Sequence, residues 1–205
     1  MSPLPLTVDL FGKRAVIVGG GRIAERRTKT LLETGVTLTI ISPNVTDGIW
    51  ELYEQALIDW QPKLFEEKDV SAAFIIIAAT NDPKVNCAVC EAAGSQALVN
   101  VVDNPKLGNV HVPSHFKRGK LSISVSTSGA SPLLAKSIKN DLAAKYDERY
   151  VAYLDFLYEC RQLLQSSSLS QDKQHQILST LLSEVYMKPE KQTQTLNWLR
   201  VEAEK

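Results

Sequence analysis

The sequence predicts an α/β protein built on a parallel, doubly wound sheet with helices on both faces, and three observations lead to this prediction. Short apolar runs alternate with amphipathic stretches over roughly the first hundred residues. The first apolar run, Ala15–Val18, passes through three glycines into a helix-like pattern that continues to Leu32. Small and polar residues follow later apolar runs, as at Thr80–Pro83 and Asp103–Pro105, and a ligand crevice at the carboxyl ends of parallel strands needs such residues.

Five strands are predicted, and their mostly continuous apolar character indicates that both faces of the sheet are covered. The predicted strands are Ala15–Val18, Leu38–Ile41, Leu57–Trp60, Phe74–Ala79 and Leu98–Val102. Helices are expected after Gly21, from about Gly48 to Ala56, and after Pro83, with Asp82 as an N-cap. This alternation is typical of a Rossmann-type sheet.

In the first predicted helix, the 3.6-residue period assigns side chains to an inner and an outer face, and Gly35 is the expected C-cap. The residues expected to face inward are Ile23, Leu31 and Leu32. The residues expected to lie mostly in water are Arg26, Arg27 and Lys29.

The spacing Gly19-x-Gly21-x-x-Ala24 fits the dinucleotide-binding form G-x-G-x-x-G/A. Gly19 permits a tight strand-to-helix turn, and Gly21 lets backbone N–H groups approach a pyrophosphate at the helix N-terminus. Ala24 is small enough for the helix to lie close to the strand. A glycine-rich turn without a ligand is the alternative. We favour a nucleotide site because the required strand precedes the motif and a helix follows it.

The loop Ser42-Pro43-Asn44 bears on which nucleotide binds. Dinucleotide folds usually place an acidic residue near this point to hold the ribose hydroxyls, and this chain has none there. Ser42 offers a hydrogen bond to a ribose without repelling a 2′-phosphate, and Arg22 would tolerate such a phosphate. The residues alone therefore leave NAD and NADP open.

Beyond Asp103 the pattern changes. Leu121–Ser126 alternates strictly, which predicts a strand with one buried and one polar face, and the preceding Phe116–Lys120 is expected to be a solvated turn. Ser131 before Pro132 has the form of an N-cap to a long helix running towards Tyr150, and the same geometry offers an anion site. The remainder, Val151–Lys205, predicts three amphipathic helices separated by Ser166–Ser170 and Lys188–Lys191.

Composition excludes several classes of protein. Lys plus Arg and Asp plus Glu both count 23, so the net charge of zero argues against nucleic acid as the main partner. No apolar run approaches the roughly 18 residues of a membrane span, and no signal-peptide pattern opens the sequence. Three cysteines do not form a disulfide framework, so we expect a cytoplasmic protein. The Cys87-x-x-Cys90 spacing falls inside a predicted helix without a second pair, and neither it nor the three histidines predict a metal site.

Several motifs occur in an order and spacing that a shared fold alone would not require. They are Leu4-Pro-Leu6, Val18-Gly-Gly-Gly-Arg-Ile-Ala24, Ala78-Ala-Thr-Asn-Asp82, Asn100-Val-Val-Asp-Asn-Pro105, Arg118-Gly-Lys-Leu-Ser-Ile123 and Ser126-Thr-Ser-Gly-Ala-Ser-Pro-Leu-Leu-Ala135. With these motifs the chain resembles the precorrin-2 dehydrogenase family, which includes the dehydrogenase module of siroheme synthases. The resemblance covers roughly the first 150 residues. The helical tail matches only in being helical.

The resemblance implies an enzyme of siroheme biosynthesis that oxidises precorrin-2 to sirohydrochlorin, with hydride passing to NAD. It also implies a homodimer that exchanges its middle segment, so we expect an NAD-binding domain over 1–111, a dimerisation segment over 112–146 and a helical domain over 147–205. The expected cofactor-binding residues are Gly19, Gly20, Gly21, Arg22, Ile23, Ala24, Ser42, Pro43, Thr80 and Asn81.

Asp103 matches the family's acidic active-site residue, which would accept a proton or orient the macrocycle; the alternative is that it caps the Asn104-Pro105 turn. Ser131 matches the serine of a Ser-Pro motif near the tetrapyrrole pocket. The expected substrate-binding residues are Asn100, Asn104, His111, Ser128 and Ser131. Because precorrin-2 carries many carboxylates, the cations of this region are permissive evidence for its binding: Lys117, Arg118, Lys120, Lys136 and Lys139.

Three alternatives stay open. Some members of the family also insert ferrous iron into sirohydrochlorin, and the absence of a His/carboxylate cluster decides little because a chelatase holds its metal only transiently. A nucleotide-sensing module would use the glycine turn without chemistry, although it would not need Asp103 and the Ser131 region together. A different NADP-linked reductase is permitted by Ser42.

Overall fold

The computed structural model describes residues 3–203, in two units that adjoin in sequence at Val112 and Pro113. Within the described residues of the first unit, five parallel strands form one sheet in the order β3-β2-β1-β4-β5. Their bounds are β1 Arg14–Val18, β2 Thr37–Ile41, β3 Asp59–Gln61, β4 Ile75–Ala78 and β5 Leu98–Val101. The chain order reverses between β1 and β4, so the predicted doubly wound α/β sheet is confirmed.

Alternate residues of the strands point to two separate apolar layers. Ile17 and Ile77 belong to the layer that α1 (Arg22–Leu32) and α2 (Asp47–Glu54) cover, while Val16 and Ile76 belong to the layer under α3 (Pro83–Ala92). All four of these side chains are 1% exposed or less. Burial on both faces explains why these strands read as continuous apolar runs instead of alternating ones.

The predicted inner face of α1 is partly wrong. The buried stripe is Ala24, Thr28 and Leu31, and Ile23 is 45% exposed because its position lies beside this stripe. The Thr28 hydroxyl donates to the Ala24 carbonyl at 2.9 Å, which satisfies the hydroxyl inside the layer. Arg27, expected in water, is half-buried instead. Its Nε nitrogen is buried without a partner among residues 3–203.

The ends of the other elements differ from the predictions by a few residues. β3 begins two residues late because Ala56 adopts a left-handed φ of +54° after α2, which leaves Leu57 exposed. Gly35, the predicted C-cap of α1, lies two residues beyond the cap residue Glu33 and takes φ +73°. Asp82 caps α3 as predicted, because its Oδ1 accepts a hydrogen bond of 2.8 Å from the Lys84 N–H.

The outer edge of β5 is covered by a returning segment, Gly108–Val110, that the sequence did not predict. The Asn109 side chain makes the hydrogen bonds that a neighbouring strand would make to β5. Its Oδ1 accepts from the Val99 N–H at 2.7 Å, and its Nδ2 donates to the Ala97 carbonyl at 2.8 Å. The backbone N–H of Asn109 also donates to the Val99 carbonyl at 3.0 Å. A Cβ on Gly108 would overlap that carbonyl, so only glycine permits this close approach.

The second unit begins with an antiparallel hairpin of β6 (Ser114–Arg118) and β7 (Leu121–Val125), against which α4 (Pro132–Lys145) packs. The solvated turn expected over Phe116–Lys120 is therefore wrong for its first three residues, which pair with β7. The alternation predicted for β7 is confirmed, since its serines are exposed and its apolar residues half-buried. The long helix stops at Lys145, short of Tyr150, and Asp147 accepts a hydrogen bond from the Arg149 N–H where the next helix begins.

Three further helices follow, as predicted: α5 (Arg149–Ser166), α6 (Gln171–Thr180) and α7 (Pro189–Ala203). The second predicted separator is misplaced, because α6 ends at Thr180, a 3-10 turn spans Glu184–Met187, and α7 begins at Pro189. Their small core consists of Tyr153, Phe156, Cys160, Leu164, Leu181 and Leu199. In residues 3–203 no helix has both the length and the apolar character needed to span a membrane.

Candidate functional site

The glycine-rich turn between β1 and α1 lies where the chain order of the sheet reverses, which is where open α/β sheets bind ligands. Gly19 has φ +124°, and a Cβ there would overlap the carbonyl oxygen of Ala79 on the neighbouring strand's extension. A Cβ on Gly20 would overlap the carbonyl oxygen of Asn44 and lie 2.8 Å from the Ser42 Oγ. These two glycines are therefore required by the protein's own packing.

Gly21 is different, because a Cβ built on it would meet nothing within 4 Å. It is the N-cap residue of α1, and since glycine has no side chain it makes no capping hydrogen bond to this end of the helix. The N–H groups of the first turn consequently face open space with the positive end of the helix dipole behind them. This arrangement fits a pyrophosphate, so Gly21, Arg22, Ile23 and Ala24 are the residues that would hold a dinucleotide there.

The loop after β2 is anchored by Ser42. This residue is 9% exposed, its hydroxyl donates to the Asn44 carbonyl at 2.7 Å, and its own carbonyl accepts from Trp60 Nε1 at 2.9 Å. Pro43 and Asn44 are exposed beside it. The Thr46 N–H, at the start of α2, donates to the Gly20 carbonyl at 3.0 Å and thereby ties this loop to the glycine-rich turn.

The loop after β4 is held by Asn86, a fully buried residue of α3 that sequence reasoning missed. Asn86 Oδ1 accepts from the Thr80 N–H at 3.2 Å, and Asn86 Nδ2 donates to the Thr80 carbonyl at 3.2 Å. The Thr80 Oγ1 lies 2.8 Å from Asn86 Oδ1, and Asn81 is exposed beyond it. A buried amide one turn into a helix after a strand would have been the signal.

Asp103 and Asn104 follow β5, the strand beyond β4. Asp103 is exposed and accepts no hydrogen bond or ion pair within residues 3–203. Asn104 closes the turn instead: its Oδ1 accepts from the Lys106 N–H at 3.2 Å, and its carbonyl accepts from the Leu107 N–H at 3.1 Å. The Asp103 carboxylate is therefore free to act on a ligand.

Asn100 and His111 were also predicted to bind the substrate. Asn100 is 5% exposed, and its Nδ2 donates to the Val110 carbonyl at 3.0 Å. Its Oδ1 is buried and finds no partner in the described part of the chain. His111 is exposed, directly after the segment that covers β5.

Ser128 and Ser131 lie in the second unit, in the loop before α4. The Ser131 Oγ accepts from the Leu134 N–H at 3.2 Å, which confirms it as the N-cap, and its own N–H donates to Thr127 Oγ1 at 3.1 Å. Ser128 is exposed with φ +51°, a left-handed conformation that is uncommon for a residue with a Cβ. The loop is thus a fixed turn that presents the Ser128 hydroxyl to solvent.

Some cations in the second unit are already paired. Arg118 binds Glu148 at 3.0 Å and Lys120 binds Asp155 at 2.6 Å, on either side of the hairpin turn. The other cations that the sequence marked as permissive are Lys117, Lys136 and Lys139, of which the first two are exposed and the third is half-buried.

The cysteines of Cys87-x-x-Cys90 lie in α3 with raised pKa values. A hydrogen bond to the Glu91 carboxylate raises the pKa of the Cys87 thiol, and burial raises that of Cys90. Both shifts disfavour the reactive thiolate. No group of three or more His, Cys, Asp or Glu side chains within residues 3–203 is placed to hold a metal ion.

The fold and the glycine-rich turn define a dinucleotide-binding protein of the doubly wound class. A family model described as putative NAD(P)-binding matches residues 6–114, a sirohaem biosynthesis protein central model matches 118–145, and a SirC C-terminal domain model matches 150–195.

Curated relatives and solved structures agree. The precorrin-2 dehydrogenase of Priestia megaterium is 40% identical over 87% of this chain and 89% of its own length. That of Bacillus subtilis is 41% identical over 77% of this chain and 98% of its own length. A solved structure of SirC, precorrin-2 dehydrogenase, superposes with a TM-score of 0.83 at 37% identity, covering 97% of this chain and all of the other. The chain belongs to the precorrin-2 dehydrogenase family, and the predicted NAD-dependent oxidoreductase class is confirmed.

Proposed function

We propose that this protein oxidises precorrin-2 to sirohydrochlorin in siroheme biosynthesis, with NAD as the acceptor. The substrate loses one hydride and one proton, and NAD⁺ becomes NADH. The observation that carries the proposal is the uncapped N-terminus of α1 behind the open space at Gly21, with a free carboxylate, Asp103, at the end of β5. The 40% identity to a named precorrin-2 dehydrogenase supports the substrate.

NAD, when bound, supplies the hydride acceptor. The protein's own residues would hold it: the first-turn N–H groups of α1 would bind the pyrophosphate, and the Pro43-Asn44 segment, which follows β2, would border a ribose. The buried Ser42 hydroxyl already donates its proton to the Asn44 carbonyl, so it shapes this loop and could only accept a hydrogen bond from a ribose hydroxyl. Thr80 and Asn81 border the crevice from the β4 side.

Asp103 is the residue that we propose to accept the proton lost by the substrate. A carboxylate that is exposed and free of partners keeps its lone pairs available to take the proton from the carbon framework or to orient an N–H of the macrocycle. The residues proposed to contact the substrate are Asn100, Asn104, His111, Ser128 and Ser131, and the buried Asn100 Oδ1 is an acceptor without a partner among residues 3–203. Because Ser131 uses its Oγ to cap α4, its contribution to an anion comes through the helix N-terminus.

We further propose a cytoplasmic homodimer in which 112–146 is the dimerisation segment between a nucleotide domain over 1–111 and a helical domain over 147–205. The supporting observation is α4, whose Leu133 is 81% exposed, Leu134 53% and Ile138 36%. A row of exposed apolar residues on one helix needs a covering surface, and a second copy of the hairpin and helix supplies one of matching character.

The test of function is NADH formation, followed at its absorbance band, when the purified chain meets NAD and precorrin-2 without metal. The Asp103→Asn variant should lose most of its turnover while binding NADH as the wild type does. Parallel titration with NADP measures the cofactor preference. Loss of NADH affinity in Asp103→Asn, or no NADH with either nucleotide from a folded wild type, would contradict the assignment. Adding ferrous iron to the product then determines whether sirohydrochlorin is also metallated above the rate without protein.

A further inference from the structure

We infer that Asn86 is a positioning residue for the nucleotide site, acting through Thr80; this rests on the proposed dinucleotide site at the glycine-rich turn. Asn86 lies in α3, on the opposite face of the sheet from α1, and is fully buried. Its amide bonds both backbone groups of one residue, the N–H and the carbonyl of Thr80, each at 3.2 Å. These two hydrogen bonds therefore fix the orientations of the peptide groups on both sides of Thr80.

The fixed residue lies directly beside the glycine-rich turn. A Cβ built on Gly19 would overlap the Ala79 carbonyl and lie 3.1 Å from the Thr80 nitrogen, so the two strand extensions are in contact. The Ala79 N–H donates to the Val18 carbonyl at 2.8 Å, which ends the pairing of β1 with β4. Thr80 is thus the first residue past the paired strands, where the crevice opens.

The Thr80 side chain completes the arrangement. Its Oγ1 accepts from the Asp82 N–H at 3.2 Å and lies 2.8 Å from Asn86 Oδ1, to which it can donate. Asp82 in turn caps α3, and its carbonyl accepts from the Asn86 N–H at 3.1 Å. The loop from Thr80 to Asp82 is therefore closed upon the first turn of α3, and Asn81 is its exposed member.

The consequence is pre-organisation. A ligand that binds against the Thr80-Asn81 backbone meets a loop whose conformation is set before binding. Binding therefore carries no additional entropic cost for ordering this loop. Without the Asn86 amide, the Thr80 N–H and carbonyl lose their partners and the loop samples other conformations in the free protein. The nucleotide would then bind more weakly, whereas the residues proposed to contact the tetrapyrrole, to which Asn86 makes no hydrogen bond, would keep their arrangement.

The experiment compares Asn86→Ala and the volume-filling Asn86→Leu with Val89→Ala, the matched control. Val89 lies on the same helix three residues on, is fully buried and makes only apolar contacts, so its truncation lowers stability without freeing Thr80. NADH binding to the purified full chain is followed by fluorescence titration, and thermal unfolding of each variant gives its stability.

We expect the Kd for NADH to rise about tenfold in both Asn86 variants, since two hydrogen bonds to the loop are lost. It should stay within about twofold of wild type in Val89→Ala at comparable loss of thermal stability. In turnover assays the KM for NAD should rise while the KM for precorrin-2 is unchanged. Equal NADH affinity in Asn86→Leu and Val89→Ala would overturn the inference. A wild type that binds NADH without oxidising precorrin-2 would contradict the proposed reaction alone, because the affinity comparison does not depend on turnover.

Discussion

Glu25 of α1 and Gly48 of α2 are in contact, and the contact exists only because position 48 has no side chain: a Cβ there would overlap the Glu25 carboxylate. The carboxylate also pairs with Lys29 at 2.6 Å. The hydrogen bond from Lys29 holds the pKa of Glu25 below its ordinary value of 4.5. The first turn of α1 is therefore packed closely against the first turn of α2.

The ion pair between Glu25 and Lys29 predicts a pH dependence of stability. Because the pKa of Glu25 is lower in the folded than in the unfolded chain, its stabilisation is present above pH 4.5 and is lost as the pH falls through the folded value. Glu25→Gln should therefore be less stable than wild type at pH 7, and the difference should shrink in acid. Urea unfolding at pH 7 and at about pH 3.5 measures it. Glu33→Gln, an exposed change at the end of the same helix, is the control; a Glu25→Gln difference that is equal at both pH values would contradict the prediction.

Two glycines of the turn, Gly20 and Gly21, predict separable effects. Gly21→Ala should fold with wild-type stability, because its Cβ meets open space, yet it should weaken NADH binding by about tenfold or more by occupying the pyrophosphate position. Gly20→Ala should lower the free energy of unfolding by roughly 1–3 kcal/mol, because the new Cβ would overlap the Asn44 carbonyl, a backbone group that can move away only if the main chain shifts. Denaturant titration and NADH titration of both variants measure this. Unchanged NADH affinity in Gly21→Ala would contradict the site.

Arg27 predicts a stabilising substitution. Its Nε is buried without a partner among residues 3–203, and burial lowers the pKa of the guanidinium. Arg27→Met keeps the aliphatic stem and removes the unpaired donor, so the free energy of unfolding should rise by about 1 kcal/mol. The matched control is Arg26→Met at the exposed neighbouring position, where we expect little change. A less stable Arg27→Met variant in urea unfolding would show that the guanidinium is already satisfied.

The exposed leucines of α4 predict the oligomeric state. Leu133→Glu should convert the proposed homodimer to a monomer in light-scattering measurements, because a charge would be buried in an apolar contact. Leu64→Glu changes a residue of the first unit that is 76% exposed, and it should leave the mass unchanged. A wild-type monomer, or a Leu133→Glu variant of dimer mass, would refute the assigned surface.

The central strands of the sheet were predictable because each carries its own signal. Ile75–Ala78 and Ala15–Val18 are apolar throughout, as strands covered on both faces must be. The failures arise where a neighbour decides the outcome. Ile23 is exposed because the stripe that meets the sheet centres on Ala24 and Thr28, and the periodic pattern of a helix does not say which of two adjacent stripes is covered.

The glycine-rich turn of the candidate site was predictable from the sequence, whereas the side chains that hold the neighbouring loops were less so. The glycine spacing identified Gly21, and an amide one turn into the helix after β4 was the only sign of Asn86. Asn109 has no local signature, because it bonds β5 only once the chain has folded back. β6 was missed since Phe116–Arg118 reads as polar, and its partner strand, not its composition, makes it a strand. A hydrogen bond between distant segments is invisible until the topology is known.

The covering of β5 by Gly108–Val110 has a consequence for solubility. A parallel sheet has two open borders, and each exposes unpaired N–H and carbonyl groups that can recruit a strand from another molecule. At one border Asn109 occupies those groups with its own amide. At the other, β3 is only three residues long and carries Asp59, so an incoming strand finds little to extend. Both borders of the sheet are therefore protected, so the folded chain should resist edge-to-edge pairing with another copy.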